Sequence, residues 1–310
     1  MTDRFFIFGA GYSGKAFGAL ASSRGAAVAG TTRSGDRFAA LRATGIEPLL
    51  FDGLQLSPEA AAALAGTTHL IVSAAPDTAG DPVLRVAGET IRKAMPALVW
   101  IGYLSTVGVY GDHQGGWIDE TTPTKPVSDR SGSRVHAENE WTAIGAEIGV
   151  PVAALRLSGI YGPGRNAFVN LKNGTARRLI KPGQVFNRIH VDDIAGALRH
   201  LAAGKADGAF NVTDDEPAPP QDVVTYAAAV MGVEPPEEIP FETAQLSPMA
   251  RSFYGENKRV SNARLKAAGY TFRYPDYRSA FDAMWAAGDW AGEGAADRRS
   301  PIEMAERMKR

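Results

Sequence analysis

The segment Gly9-Ala10-Gly11-Tyr12-Ser13-Gly14 constrains this chain more than any other stretch of it. It follows the continuous apolar run Phe5-Phe6-Ile7-Phe8, which suits a parallel strand buried on both faces. After it, Ala16, Phe17, Leu20 and Ala21 recur at helical spacing, and Gly25 ends the helix. In a G-x-G-x-x-G turn between strand and helix, each glycine has a physical reason. Gly9 permits the tight turn, Gly11 lets backbone approach a pyrophosphate, and Gly14 lets helix and strand pack closely. Phosphates would rest on the helix N-terminus, where free N–H groups and the dipole favour negative charge. Tyr12 and Ser13, inside the turn, join the candidate cofactor contacts. The motif predicts a dinucleotide site; the alternative is a glycine turn without a ligand.

The alternation continues down the chain. Strand-like runs fall at 27–29, 49–51, 69–73, 98–103 and 152–157. Between them, helices are expected around Phe38 and Leu41, from the Ser57 cap and Pro58 to Gly66, over 83–95, and around 134–148. Six short strands separated by helices imply parallel βαβ units: an α/β, Rossmann-type doubly wound parallel sheet. Residues 1–165 are expected to form the dinucleotide-binding domain, with 185–213 returning to it. Past Gly162-Pro163-Gly164 the alternation breaks down, and Pro217, Pro219, Pro220, Pro235, Pro236 and Pro240 punctuate short elements. Residues 166–184 and 214–285 are therefore assigned to a smaller, loop-rich C-terminal substrate lobe. Residues 286–310 read as a polar tail, in which Ser300-Pro301-Ile302-Glu303 has the capping-box arrangement of a short helix.

Composition narrows the function. Across 310 residues, 33 basic side chains stand against 34 acidic ones, for a net charge of −1. That balance argues against a nucleic-acid partner, which would call for a basic face. Cysteine is absent, which excludes disulfides, thiol nucleophiles and Cys-ligated metals. No apolar run approaches the ~18 residues of a membrane span. Met1-Thr2-Asp3-Arg4 leads straight into the first strand, so a cytoplasmic protein is expected. No metal site is expected either, because companion ligand spacing is missing.

Cofactor choice is set at the end of the second strand. An acid about 20 residues beyond the glycines would take the ribose hydroxyls of NAD. Thr31-Thr32-Arg33 stands there instead. Thr32 leaves room and Arg33 offers a guanidinium to a 2′-phosphate, which favours NADP over NAD. The plain reading of Arg33 is a solvated loop residue. Asp52, ending the third strand, could accept from an adenine amino group or cap the turn before Gly53.

Four further segments carry a resemblance: Leu104-Ser105-Thr106-Val107-Gly108-Val109-Tyr110-Gly111 with Asp119-Glu120, residues 155–164, Arg188-Ile189-His190-Val191-Asp192-Asp193-Ile194-Ala195, and Ser261-Asn262-Ala263-Arg264-Leu265-Lys266 with Gly269-Tyr270. Together they resemble the extended short-chain dehydrogenase/reductases, the NAD(P)-dependent epimerase/dehydratase group, over about residues 4–285. The resemblance implies that Thr106 hydrogen-bonds the reacting oxygen. It also implies cofactor contacts at Ala74, Ala75 and Ser158, and a place near the substrate for Tyr110. The family's Tyr-x-x-x-Lys pair, placed by Ala137-Glu138, falls on Arg130 and Arg134. A guanidinium stays protonated and has no acceptor, so Arg130 cannot act as the acid/base tyrosine. Arg134 could still hold the nicotinamide ribose. In this it resembles the atypical YeeZ-like bacterial subgroup, which shares Arg177-Arg178, Gly162-Pro163-Gly164-Arg165 and Tyr274-Pro275-Asp276.

Other proton carriers near the expected cleft are Tyr103, Tyr110, His113, His136 and His190. His190 is read as preceding a helix capped by Asp192, and His136 as lying on a helix surface. Arg165 and Arg188 are candidates for an anionic substrate group, with ordinary surface arginines as the alternative. These readings imply an NADP-binding oxidoreductase-like enzyme acting on an alcohol, carbonyl or sugar nucleotide. Its partners would be a small-molecule substrate and, through a homodimer, a second copy. The rival is an NADP-binding redox sensor without turnover.

Overall fold

The structure, a computed structural model, describes residues 2–292, without the side chains of Met249 and Ala250. The expected capping box at Ser300 lies outside the described residues. Seven parallel strands form one sheet: β1 (Arg4–Phe8), β2 (Ala27–Thr32), β3 (Glu47–Leu50), β4 (His69–Val72), β5 (Trp100–Thr106), β6 (Val152–Leu157) and β7 (Gly208–Val212). Their order is β3-β2-β1-β4-β5-β6-β7, so strand order reverses between β1 and β4. That reversal opens a crevice above the carboxyl ends of the strands, the place where such sheets bind ligands.

Burial on both faces explains the unbroken apolar strands. In β1, Phe5 and Ile7 face one core and Phe6 and Phe8 the other. The first core takes Phe17 from α1 (Tyr12–Ser23) and Ile194 and Leu198 from α7 (Val191–Ala203). On the opposite face lie Leu64 of α3 (Pro58–Ala65), Val83 and Ile91 of α4 (Pro82–Lys93) and Trp141 of α5 (Asp129–Ile148). The short α2 (Phe38–Arg42) adds Leu41 to the first core. A third core joins Phe168 of α6 (Ala167–Lys172), Ala227 and Met231 of α8 (Pro220–Met231), and Phe281 and Met284 of the helix Tyr277–Ala287.

Three local expectations are corrected. β7 makes a seventh strand where six were read: Asn211 in its middle gives it a polar appearance, yet that side chain is wholly buried and bonded. α5 begins at Asp129 rather than near 134, because the Ser128 hydroxyl accepts from the Ser131 N–H and starts the helix early. At α7 the cap is His190, whose Nδ1 accepts from the Asp192 N–H at 3.2 Å, and not Asp192. The Ser57 cap and Pro58 start of α3 are found as expected.

Candidate functional site

The glycine loop bridges β1 and α1 on the floor of the crevice. Gly9 has φ +83°, and a Cβ there would lie 2.9 Å from the Ala74 nitrogen after β4. On Gly14 a Cβ would lie 2.8 Å from the Gly9 oxygen and 3.1 Å from Ile7 Cγ2. These two glycines are demanded by the protein's own packing. Gly11 is not: a Cβ there would meet only the Gly9 oxygen at 4.0 Å. α1 starts with neither a side-chain cap nor an acid in its first turn. Open space above Gly11 and uncapped N–H groups therefore fit a pyrophosphate. Thr31, which sequence reasoning passed over, holds the loop: its hydroxyl accepts from the Gly9 N–H at 2.9 Å and its carbonyl from the Ala10 N–H at 2.7 Å. A hydroxyl at the end of β2, beside the turn, was the available signal.

Thr32 and Arg33 lie next along the same edge. Arg33 is exposed and forms no hydrogen bond or ion pair with the described residues, which leaves its guanidinium available. Asp52 is exposed and accepts from the Leu54 N–H at 2.9 Å, the turn-capping alternative. Ala75 is exposed beside Ala74, and Ser13 is buried in the first turn of α1. Ser158 stands apart from this group: it is buried at the end of β6 with its hydroxyl directed to the Val212 carbonyl.

Thr106 ends β5 half-buried, and its hydroxyl accepts from the Gly108 N–H at 3.1 Å. Its own proton is not used by any described residue, so it can donate to an oxygen in the crevice. Arg134 reaches the same strand end, where Nη1 donates to the Leu104 carbonyl at 2.5 Å and to the Tyr103 hydroxyl at 3.3 Å. One turn earlier, Arg130 is exposed, with its guanidinium 5.6 Å from the Phe253 ring centre. Arg130 therefore lies against an aromatic ring at the surface and does not fill the space beside Thr106.

The model of the NAD dependent epimerase/dehydratase family matches residues 6–213. The chain belongs to this family. Its relatives include YeeZ of Escherichia coli K12, 28% identical over 87% of this chain and 96% of that one. A functionally unknown conserved protein from Silicibacter pomeroyi DSS superposes with TM-score 0.84 at 46% identity, over 93% of this chain and all of that one. Human epimerase family protein SDR39U1, solved with NADPH, shares the fold at TM-score 0.71 and 20% identity, over 91% of this chain and 98% of that one.

Within this epimerase/dehydratase fold, one expected substrate contact is corrected. Tyr110 is fully buried; its hydroxyl donates to Asn211 Oδ1 at 2.8 Å and accepts from Arg156 Nη1 at 2.9 Å. Arg156 in turn pairs with Glu138, which also accepts from the Ser105 hydroxyl. Tyr110 is thus part of a buried polar network behind Thr106, where substrate does not reach. Arg165 is exposed, its guanidinium 6.0 Å over the Tyr12 ring beside the glycine loop. Arg188 is half-buried, and Nη1 donates to the Phe186 and Ala218 carbonyls.

None of the remaining proton carriers hydrogen-bonds Thr106 among the described residues. Burial and the Arg134 charge act in opposite directions on Tyr103, and burial prevails, lifting its pKa to about 12. His113 shares a hydrogen bond with the Tyr110 carbonyl, and His136 lies on the α5 surface near Glu140. Burial, aided by Arg273, lowers His190 to about 4, so its ring is neutral at pH 7. With Nδ1 accepting, the proton sits on Nε2. Among the described residues no group of acids and histidines has the arrangement of a metal site, and no helix is long and apolar enough to cross a membrane.

Proposed function

We propose that the protein binds NADP and acts as an oxidoreductase on an alcohol or carbonyl held above Thr106. The observation that carries this reading is Gly11, a glycine that the protein's own packing does not require, at the uncapped start of α1. The loop would hold the pyrophosphate, Arg33 the 2′-phosphate and Arg134 the nicotinamide ribose. When bound, the nicotinamide supplies or accepts a hydride. Thr106 donates a hydrogen bond from its hydroxyl to the reacting oxygen and fixes its position, and solvent supplies or takes up the proton that accompanies the hydride. The unpartnered Arg33 and the lack of an acid at the end of β2 favour NADP, while solved structures at similar distance hold NADPH or NAD.

A second reading is an NADP-responsive sensor without turnover. It is favoured by one observation: no titratable side chain among the described residues hydrogen-bonds Thr106, and arginines occupy both places of the catalytic pair. Calorimetry with NADP and NAD, alongside NADPH oxidation against carbonyls and sugar nucleotides, separates the two. The enzyme reading expects turnover with at least one substrate. Arg33→Ala is expected to weaken NADP roughly 10- to 100-fold, as for a charge-assisted hydrogen bond, and to leave NAD unchanged. Tight binding with no turnover across the panel supports the sensor, and binding of neither dinucleotide refutes both readings.

A further inference from the structure

Polar atoms without partners gather at the carboxyl end of the sheet, beside the turn that Tyr12 ties to the glycine loop. Tyr161 follows β6 and Asp214 follows β7. These strands are neighbours, so both residues stand outside the carboxyl ends of the sheet, on the ligand side of an open α/β fold. The Tyr161 hydroxyl, Asp214 Oδ2 and His190 Nε2 are all shut from solvent without a hydrogen bond. Asp214 is 1% exposed and His190 1%. A buried polar group left unpaired is costly and uncommon, and three in one neighbourhood point to a missing partner.

Arg188 supplies the charge there. It acts electrostatically on both Asp214 and Tyr161 yet forms no ion pair with Asp214. Its Nη1 is held by two backbone carbonyls, while Nε and Nη2 form no hydrogen bond among the described residues. Half-buried, it is the outermost of the three. Burial pushes the Asp214 carboxyl well above the usual carboxylate range despite Arg188, toward the protonated form in which it can donate.

We infer that Tyr161, Arg188 and Asp214 form the seat for a carboxylate group of the substrate. The guanidinium pairs with the anion and the two hydroxyls donate to its oxygens. A single guanidinium balances a single charge, and the cations next to it, Lys266 and Arg278, are already paired with Asp215 and Glu216, so a carboxylate fits better than a diphosphate. This deepens the oxidoreductase reading and rests on it, since that reading makes the crevice a substrate site.

Calorimetry of the full chain, with and without NADP, tests the seat with glycolate, its neutral isostere glycolamide, and inorganic phosphate. Glycolate is expected to bind saturably and at least tenfold more tightly than glycolamide or phosphate. Arg188→Met should abolish glycolate binding, and Tyr161→Phe should weaken it severalfold with an unchanged melting temperature. Asp214→Asn, which keeps a donor, should retain it within about threefold. NADP affinity should be unchanged in all three variants. Equal binding of glycolate and glycolamide, no glycolate binding, tighter phosphate binding, or full binding in both Arg188→Met and Tyr161→Phe overturns the seat. Loss of NADP binding in the wild type counts against the oxidoreductase reading alone, because the glycolate arm is read without cofactor as well.

Discussion

The Tyr12 hydroxyl donates to the Pro163 carbonyl at 2.9 Å, joining residues 151 positions apart. The glycine loop is thereby tied to the turn where the chain leaves the main sheet. Gly162, beside it, has φ +152°, and a Cβ there would lie 2.7 Å from that hydroxyl and 2.8 Å from Val191 Cγ1. Gly162→Ala should cost about 1–3 kcal/mol through overpacking and backbone strain. Tyr12→Phe alone should cost about 0.5–1.5 kcal/mol, the net worth of one hydrogen bond. Because the second change removes the nearest clashing atom, the double variant should lose less than the sum. Urea unfolding of all four proteins checks this, and strict additivity would show that Tyr12 is not the obstacle.

Gly11 and Gly14 make a matched pair with opposite expectations. Gly14→Ala drives a Cβ to 2.8 Å from the Gly9 oxygen, a backbone atom that cannot swing away, so the fold should be destabilised by about 1–3 kcal/mol. Gly11→Ala places its methyl in open space, so stability should stay within about 0.5 kcal/mol. NADP affinity should nevertheless fall at least tenfold, since the methyl occupies the pyrophosphate's approach. Thermal melts with calorimetry on both variants read the two effects separately.

Which parts of this could be read from sequence follows from where the information lies. β1 and α1 were legible because an unbroken apolar strand, three spaced glycines and a helical apolar stripe are local patterns. β7 was not, since Asn211 looks like a loop residue until its partners, the Ser261 carbonyl and Tyr110, arrive from distant segments. The same applies to Tyr110, whose place near Thr106 was legible but whose inward orientation depends on Arg156. Arg165 illustrates the other limit: its charge was noticed, but only the fold brings Tyr12 beneath it. Nothing local marks Tyr161 and Asp214 as unpartnered, because a missing hydrogen bond is a property of the assembled crevice.

Behind Thr106, Arg156 and Glu138 form a forked ion pair with side chains only 10% and 8% exposed. Burial works against the Arg156 charge, but Glu138 more than offsets it and raises the pKa. Glu138→Gln would leave that guanidinium buried without a counter-charge, at an expected cost of about 3–5 kcal/mol. Tyr110→Phe removes one acceptor of Arg156 and one donor to Asn211, and should cost about 1–3 kcal/mol. The two losses should not add, because both act on Arg156. Chemical denaturation of the single and double variants measures that coupling.

His190 sets an acid-sensitive point in the fold. Burial, then the Arg273 charge, lowers its folded pKa to about 4 from an ordinary value of 6.5. The folded state therefore binds fewer protons at this ring than the unfolded chain does. Its contribution is fully present above pH 6.5 and is lost as pH falls from 6.5 to about 4. A shift of this size corresponds to stability on the order of 3 kcal/mol. Asp192, Asp193 and Asp214, raised mainly by burial, act in the opposite sense, each favouring the folded state as pH falls. The informative quantity is thus the difference between wild type and His190→Asn, a side chain that can still cap α7 but does not titrate. Unfolding free energies at pH 7, 5.5 and 4.5 should show the wild type losing stability relative to the variant at each step. A constant difference across that range would mean that His190 does not carry the acid sensitivity.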